Sequence, residues 1–178
     1  MDFTKISWEQ LEKDTFSLAK KINGTPVDEI ISISRGGMVV SRILSDVLQL
    51  PISHIAIESY ADLQQNKEPV VTQVSSKEFN QETILLVDEL ADSGKTFLRA
   101  LSYLKELPIK KVYTAAPYYK SHTVYIPDFF VKKLDSWIIL PYEIRETKKA
   151  FIKEFGLKQA EEKMKDLGFT AWECSVEV

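Results

Sequence analysis

The chain alternates short, unbroken apolar runs with longer stretches in which apolar residues recur every three to four positions. Residues 84–87, Ile-Leu-Leu-Val, form one such run between polar neighbours. A run of that length predicts a strand buried on both faces of a parallel sheet. Ile30, Ile31 and Ile33 centre a second strand over 29–34. Further strands are predicted over 52–60 and 111–116, with short ones at 129–131 and 137–140. Helical patterns lie between them. Ser7-Trp8-Glu9-Gln10 reads as a capping box. Leu11, Phe16, Leu18 and Ile22 follow at helical spacing until Asn23-Gly24 and Pro26 end the helix. Met38, Val39, Ile43, Leu44, Val47 and Leu48 mark a second helix. Phe97, Leu98, Leu101 and Leu104 mark a third, stopped by Pro108. Strands and helices in this alternation predict an α/β fold, a mainly parallel twisted sheet flanked by helices.

Two regions depart from the alternation. Residues 61–81 are polar at first, with Gln64, Gln65, Asn66, Lys67 and Glu68, then carry Val70, Val71 and Val74. A connection this long is usually functional or mobile. Towards the end, 148–155 and 157–167 read as helices broken at Gly156 and stopped at Gly168. Phe169, Trp172 and Val176 then suggest an extended tail. The expected organisation is one domain over 1–143, core and hood together, with 144–178 a helical extension packed on it.

Length and charge narrow the classes. At 178 residues the chain is large enough for one well-filled core. A formal net charge of −3 shows no general attraction to nucleic acid, leaving only a local basic patch open. Cys174 is the single cysteine, so no disulfide within the chain is possible. With no signal peptide and no apolar run of spanning length, the expectation is a cytoplasmic protein without a transmembrane segment. His54 and His122 are too isolated in sequence for a histidine-based metal site.

The chemistry gathers where strands end. After 84–87 come two adjacent acids, Asp88 and Glu89, then Asp92, Ser93 and Gly94, then the helix from Lys95. Open α/β sheets bind ligands at this junction, and a helix start offers unpaired N–H groups to an anion. The Ser-Gly-Lys-Thr at 93–96 is not a nucleotide-binding P-loop, because that motif needs a glycine where Glu89 stands. An ordinary turn with Asp92 or Ser93 as N-cap accounts for one polar residue, not for three carboxylates within five positions. A ligand with both a phosphate and a diol fits better. Asp88 and Glu89 can accept from two sugar hydroxyls or hold a hydrated metal ion, while residues 91–96 wrap a phosphate. A second strand–loop–helix unit, Ser34-Arg35-Gly36-Gly37, pairs a permanent positive charge with glycines that let backbone approach a ligand closely.

Residues 84–96 resemble the ribose-phosphate-binding signature of the type I phosphoribosyltransferases: apolar strand, two acids, two mostly apolar residues, then Asp-Thr/Ser-Gly-x-Thr. Lys120, the Pro-Asp-Phe-Phe-Val of 127–131 and the Trp-Ile-x-x-Pro-Tyr-Glu of 137–143 resemble the xanthine-guanine/hypoxanthine group of that family. Ser121 departs from the proline found there in some members. The resemblance covers roughly 28–143. It implies the type I fold with a small hood over residues 61–81, opened by Ser59-Tyr60. It also implies a cis peptide at Arg35-Gly36, magnesium, and a homodimer or homotetramer. The implied reaction moves 5-phosphoribose from 5-phosphoribosyl 1-diphosphate (PRPP) to a 6-oxopurine and releases pyrophosphate. Arg35, Gly36 and Gly37 would take the pyrophosphate. Asp88 and Glu89 would take the ribose diol and the metal. Ala91, Asp92, Ser93, Gly94, Lys95 and Thr96 would take the 5-phosphate. Asp92 would transfer a proton at the purine N7. Trp137 would stack on the base, Lys120 would donate to its O6, and Ile138 would lend backbone atoms. Another base (adenine, uracil or orotate) and a PRPP-sensing regulator of the same fold are the competing readings. The regulator would need a basic face or an added DNA-binding domain, neither of which is evident.

Overall fold

The computed structural model describes residues 2–58 and 69–177. In chain order the elements are β1 (Phe3–Lys5), α1 (Trp8–Ile22), β2 (Glu29–Ser34), α2 (Met38–Leu48), β3 (Ile52–Glu58), β4 (Val70–Gln73), β5 (Thr83–Val87) and β6 (Leu90–Ala91). There follow α3 (Lys95–Leu104), β7 (Lys111–Ala115), β8 (Tyr118–Tyr119), β9 (Lys132–Lys133), β10 (Trp137–Ile139), α4 (Ile144–Phe155), α5 (Leu157–Asp166) and α6 (Ala171–Ser175). The chain forms two compact units, residues 12–135 and residues 1–11 with 136–178.

The larger unit is built on a five-stranded sheet in the order β4-β3-β2-β5-β7. β3, β2, β5 and β7 run parallel, and β4 returns antiparallel to β3. The uninterrupted apolar runs have the cause expected of them: all five residues of β5 and the first five of β2 are buried. Ile31, Ile33, Ile55, Ile57, Ile84 and Leu86 share one cluster with Phe97, Ala100 and Leu104 of α3. Ile30, Leu85 and Val87 fall on the opposite face by strand alternation and are equally buried. Each such side chain contributes about 1.5–3 kcal/mol by leaving water. α2 packs on β2 and β3. The β2–β5 register, ending at Ser32 beside Val87, carries both strands to the same level. The loops that follow them therefore start side by side. A second, three-stranded parallel sheet has the order β6-β8-β9.

Several expectations are corrected in this unit. Phe129 makes one bridge to Ala115, and the strand begins three residues later, at Lys132. The cause lies in Asp128, whose Oδ2 accepts from both the amide and the hydroxyl of Thr114 at 2.8 Å and occupies the ladder position. Phe16, read as part of the apolar face of α1, is 44% exposed. Asp14 is buried instead and accepts from Tyr118 Oη and Lys132 Nζ, each at 2.9 Å. Ser59-Tyr60 and residues 61–68 of the expected hood lie outside the described residues. Of the rest of that stretch, 70–73 form β4, and Lys77 pairs with the buried Glu29.

The smaller unit pairs β1 with β10 in parallel, Phe3 beside Trp137. Ile139, Phe151, Ala160, Met164 and Phe169 form its core. The helices break at Gly156, whose φ is +79°, as its sequence position predicts. The tail is not extended: residues 171–175 are helical, started by a capping box between Thr170 and Glu173. Lys148 Nζ donates to the carbonyls of Cys174 and Val176 at 2.7 and 2.9 Å, which fixes the end of the chain. Among the described residues no helix is long and apolar enough to cross a membrane.

Candidate functional site

The loops after β2 and β5 meet. A Cβ added to Gly36 would lie 1.8 Å from Oε1 and 1.9 Å from Oε2 of Glu89. One added to Gly37 would lie 2.5 Å from the Val87 carbonyl oxygen and 3.0 Å from Asp88 Cα. Only residues without a side chain fit at 36 and 37 while the acidic pair holds this position. The peptide bond that is cis is Ser34–Arg35, one residue before the one the resemblance implies. The glycines serve close approach to the acids.

Asp88 is buried, and its amide donates to the Ala115 carbonyl at 3.1 Å. Burial first, and then the neighbouring Glu89 carboxylate, push the Asp88 carboxyl well above the usual carboxylate range. The Glu89 amide donates to Asp88 Oδ1 at 3.0 Å and opposes that rise. Glu89 Oε2 is buried without a hydrogen-bond partner. Two clustered carboxyls, one disfavoured as an anion and one with an unsatisfied oxygen, suit a cationic or donor-rich ligand. Among the described residues no group of three or more metal-binding side chains forms. The pair still fits magnesium, which keeps several waters and commonly takes only one or two protein carboxylates beside substrate oxygens.

Beyond the acids, β6 intervenes before the turn that leads into α3. α3 starts at Lys95 with Gly94 as N-cap, at φ +78° and without a side-chain cap bond. Neither Asp92 nor Ser93 caps the helix. Ser93 Oγ reaches only the Lys95 amide, at 3.4 Å, and Asp92 Oδ1 faces His122 Nε2 at 3.0 Å. Gly94 has two reasons to be glycine. Its φ is left-handed, and a Cβ there would come within 2.6 Å of Thr123 Oγ1 and of the Tyr125 amide. Ala91 is buried, Lys95 is exposed and Thr96 is half-buried at the helix start.

The segment after β8 lies along this turn. The Lys120 amide donates to the Ala91 carbonyl at 3.0 Å, and the Val124 amide to the Ser93 carbonyl at 3.0 Å. Ser121, the departure from the family pattern, is held by Asp135: its amide and its hydroxyl both donate to Oδ1, at 2.8 and 2.5 Å. Proline could make neither bond. Lys120 is 5% exposed. Burial pushes its ammonium below the usual lysine range, while Asp92 and Asp135 pull it back. The contact of His122 with Asp92 is one that sequence reasoning missed. Its signal is the place of His122 two residues after Lys120, on a segment that folds onto the turn.

The structure thus brings together Gly36, Gly37, Asp88 and Glu89, and separately Ala91, Asp92, Ser93, Gly94 and Lys120. Arg35 is exposed on the first loop. Trp137 and Ile138 belong to the other unit, Trp137 being 55% exposed and Ile138 buried.

Residues 7–158 match the model of the phosphoribosyl transferase domain. The chain is 32% identical over 144 residues to a xanthine-guanine phosphoribosyltransferase of Idiomarina loihiensis, covering 78% of this chain and 86% of that one. It is similar to the crystal structure of a purine phosphoribosyltransferase from Pyrococcus horikoshii, with a TM-score of 0.72 and 29% identity over 80% of this chain and 94% of that one. It is similar, too, to a xanthine-guanine-hypoxanthine phosphoribosyltransferase of Helicobacter pylori, with a TM-score of 0.70 and 26% identity over 83% and 98%. With the loops after β2 and β5 in contact, and a family match over most of its length, this chain belongs to the phosphoribosyltransferases.

Proposed function

We propose that the chain transfers 5-phosphoribose from PRPP to a 6-oxopurine in purine salvage. The carrying observation is the contact of Gly36 with Glu89, which sets the Arg35 loop against the acidic pair, where a sugar diphosphate needs both. In the reaction N9 of the base bonds to the anomeric carbon, the bond from that carbon to the pyrophosphate oxygen breaks, and the proton at N7 leaves. Arg35, Gly36 and Gly37 hold the departing pyrophosphate. Asp88 and Glu89 accept from the ribose diol, keep the hydrated metal oriented, and favour positive charge at the reacting carbon. The chemistry supplied by bound magnesium is neutralisation of the leaving group. Backbone N–H groups and hydroxyls of 91–96 hold the 5-phosphate, and Asp92 takes the N7 proton.

Lys120 can only donate, so it favours an O6 carbonyl and opposes the 6-amino group of adenine. Its burial makes an unmatched partner costly, which is what gives strong rejection. Trp137 is the stacking residue of this reading, and its exposed ring supports that role. Ile138 offers its amide and carbonyl. In the β1–β10 register these point away from β1, towards an edge that no described strand covers. Residence in the cytoplasm and assembly as a homodimer or homotetramer complete the proposal on the strength of the resemblance.

The test is pyrophosphate release from PRPP with guanine, xanthine, hypoxanthine and adenine in turn, for the unmodified protein and Lys120→Ala. Rapid release with the oxopurines alone, mostly lost in the variant, is expected. Turnover of adenine equal to the best oxopurine would overturn the assignment.

A further inference from the structure

We infer that His122 is a positioning residue, holding the Asp92 carboxylate in the orientation that proton transfer needs. The inference rests on the function proposed above and concerns a residue that the family motif does not include.

Three observations carry it. The ring nitrogen Nε2 of His122 lies 3.0 Å from Asp92 Oδ1, hydrogen-bonding distance. The contact sits inside a ladder: Lys120 N–H to the Ala91 carbonyl on one side, Val124 N–H to the Ser93 carbonyl on the other, each 3.0 Å. Asp92 is therefore the middle residue of one rung-bounded segment and His122 the middle residue of the other. The histidine segment is fixed from outside by the two bonds of Ser121 to Asp135, and within the turn by the Thr123 amide, which donates to the Lys120 carbonyl at 3.2 Å. A backbone pinned at residues 120, 121, 123 and 124 leaves His122 little freedom except in its own side chain.

The consequence is chemical. An aspartate at the surface has two equivalent oxygens and free rotation about its Cβ–Cγ bond, and 61% of the Asp92 side chain is exposed. Engaging Oδ1 with His122 stops that rotation and leaves Oδ2 as the oxygen that meets the N7–H of the base. Since Nε2 faces a carboxylate, it is the ring nitrogen that carries the proton in this contact, and it donates. The reacting proton passes from N7 to Oδ2. His122 touches neither base nor sugar in this scheme and acts only through Asp92. A general base must first be in geometry and only then of suitable basicity, so orienting it is a separable contribution.

The experiment compares His122→Ala and His122→Gln, each with native Asp92 and with Asp92→Asn, by steady-state pyrophosphate release with guanine. His122→Ala is expected to lower kcat about fivefold, the upper end of what an exposed charged contact is worth, with KM for PRPP unchanged. His122→Gln, whose amide can donate at a similar reach, is expected to recover at least half of the loss. In the Asp92→Asn background, removal of His122 is expected to add nothing, because the carboxylate it positions is gone. Ring-nitrogen NMR gives a readout independent of turnover. The chain has two histidines, so His122→Ala assigns the signals. Asp92→Asn is expected to move those of His122 and leave those of His54 in place. An unchanged kcat in His122→Ala, an equal fall in the Asp92→Asn background, or His122 signals indifferent to Asp92→Asn would each overturn the inference. Failure of the parent reading looks different: the unmodified protein then turns over no 6-oxopurine, and the positioning role falls with it.

Discussion

Alanine at the two adjacent glycines of the first ligand loop is expected to separate function from stability. At Gly36 the nearest atoms the new methyl meets are those of the Glu89 carboxylate, at 1.8–2.0 Å, the far end of a flexible side chain. Glu89 can swing away, and its buried Oε2 has no hydrogen bond to lose. Gly36→Ala also gains about 0.4–1 kcal/mol by restricting the unfolded chain. The melting temperature is therefore expected to stay within a few degrees of the unmodified protein. The displaced carboxylate is then missing from the proposed PRPP site. A hydrogen bond to a charged group is worth about 1.5–3 kcal/mol, so kcat/KM for PRPP is expected to fall roughly 10- to 100-fold. At Gly37 the methyl meets backbone: the Val87 carbonyl oxygen at 2.5 Å, the Ile33 carbonyl oxygen at 2.9 Å and Asp88 Cα at 3.0 Å. Neither strand end can yield cheaply, and overpacking of this kind costs about 1–3 kcal/mol. At about 2–4 °C per kcal/mol for a chain of this size, Gly37→Ala is expected to melt several degrees lower. Thermal unfolding and pyrophosphate release against PRPP concentration measure both effects. A Gly36 variant with unchanged kcat/KM would refute the argument, as would a Gly37 variant as stable as the unmodified protein.

Asp92→Asn is expected to lower turnover by about 10²–10⁴-fold while PRPP still binds, since the proposed proton acceptor is lost and the acids proposed to hold the diol remain; near-normal turnover would rule Asp92 out. Asp88→Ala combined with Glu89→Ala is expected to abolish magnesium-dependent PRPP binding in calorimetry. The same double variant should melt no lower than the unmodified protein without ligand: a carboxyl raised above its unfolded value costs stability at every pH above about 3.9, and removing it removes that cost. Glu173 titrates in the opposite sense. Burial would raise its carboxyl, but the hydrogen bonds from Lys5 and from Thr170 outweigh this and hold it below the usual glutamate range. Its stabilisation is present above the unfolded value of about 4.3 and is lost as pH falls through the folded one. The melting temperatures of the unmodified protein and Glu173→Gln should therefore converge as pH drops from 6 towards about 3, and a gap independent of pH would disprove the pairing.

The strands and helices that bury a continuous apolar run were legible because burial on both faces writes itself into every position of β2 and β5. The two loops that meet were legible as a pair because glycines and clustered acids have few structural uses. The short strands β1, β6 and β8 were not, since two or three residues cannot establish a period. The capping box of α6 stands openly as Thr-x-x-Glu at 170–173, yet the aromatic residues around it read more readily as an extended tail. Asp14 was hidden for a different reason. A polar residue on a helix is ordinarily assigned to solvent, and its partners Tyr118 and Lys132 lie more than a hundred positions away. The contact of His122 with Asp92 spans thirty residues and depends on backbone pairing between β6 and the segment after β8, which no local pattern encodes.

The strand order has a consequence for how such a protein can diversify. β2 and β5 are neighbours in the sheet, and the two described strands that come between them in sequence, β3 and β4, lie beyond β2. No described strand comes between β2 and β5, so the Arg35 loop and Asp88 follow directly paired strands. The pairing that sets the two loops side by side is thus separate from the pairing that adds β4 at the β3 edge. Selection can alter that edge while β2 and β5 keep their register.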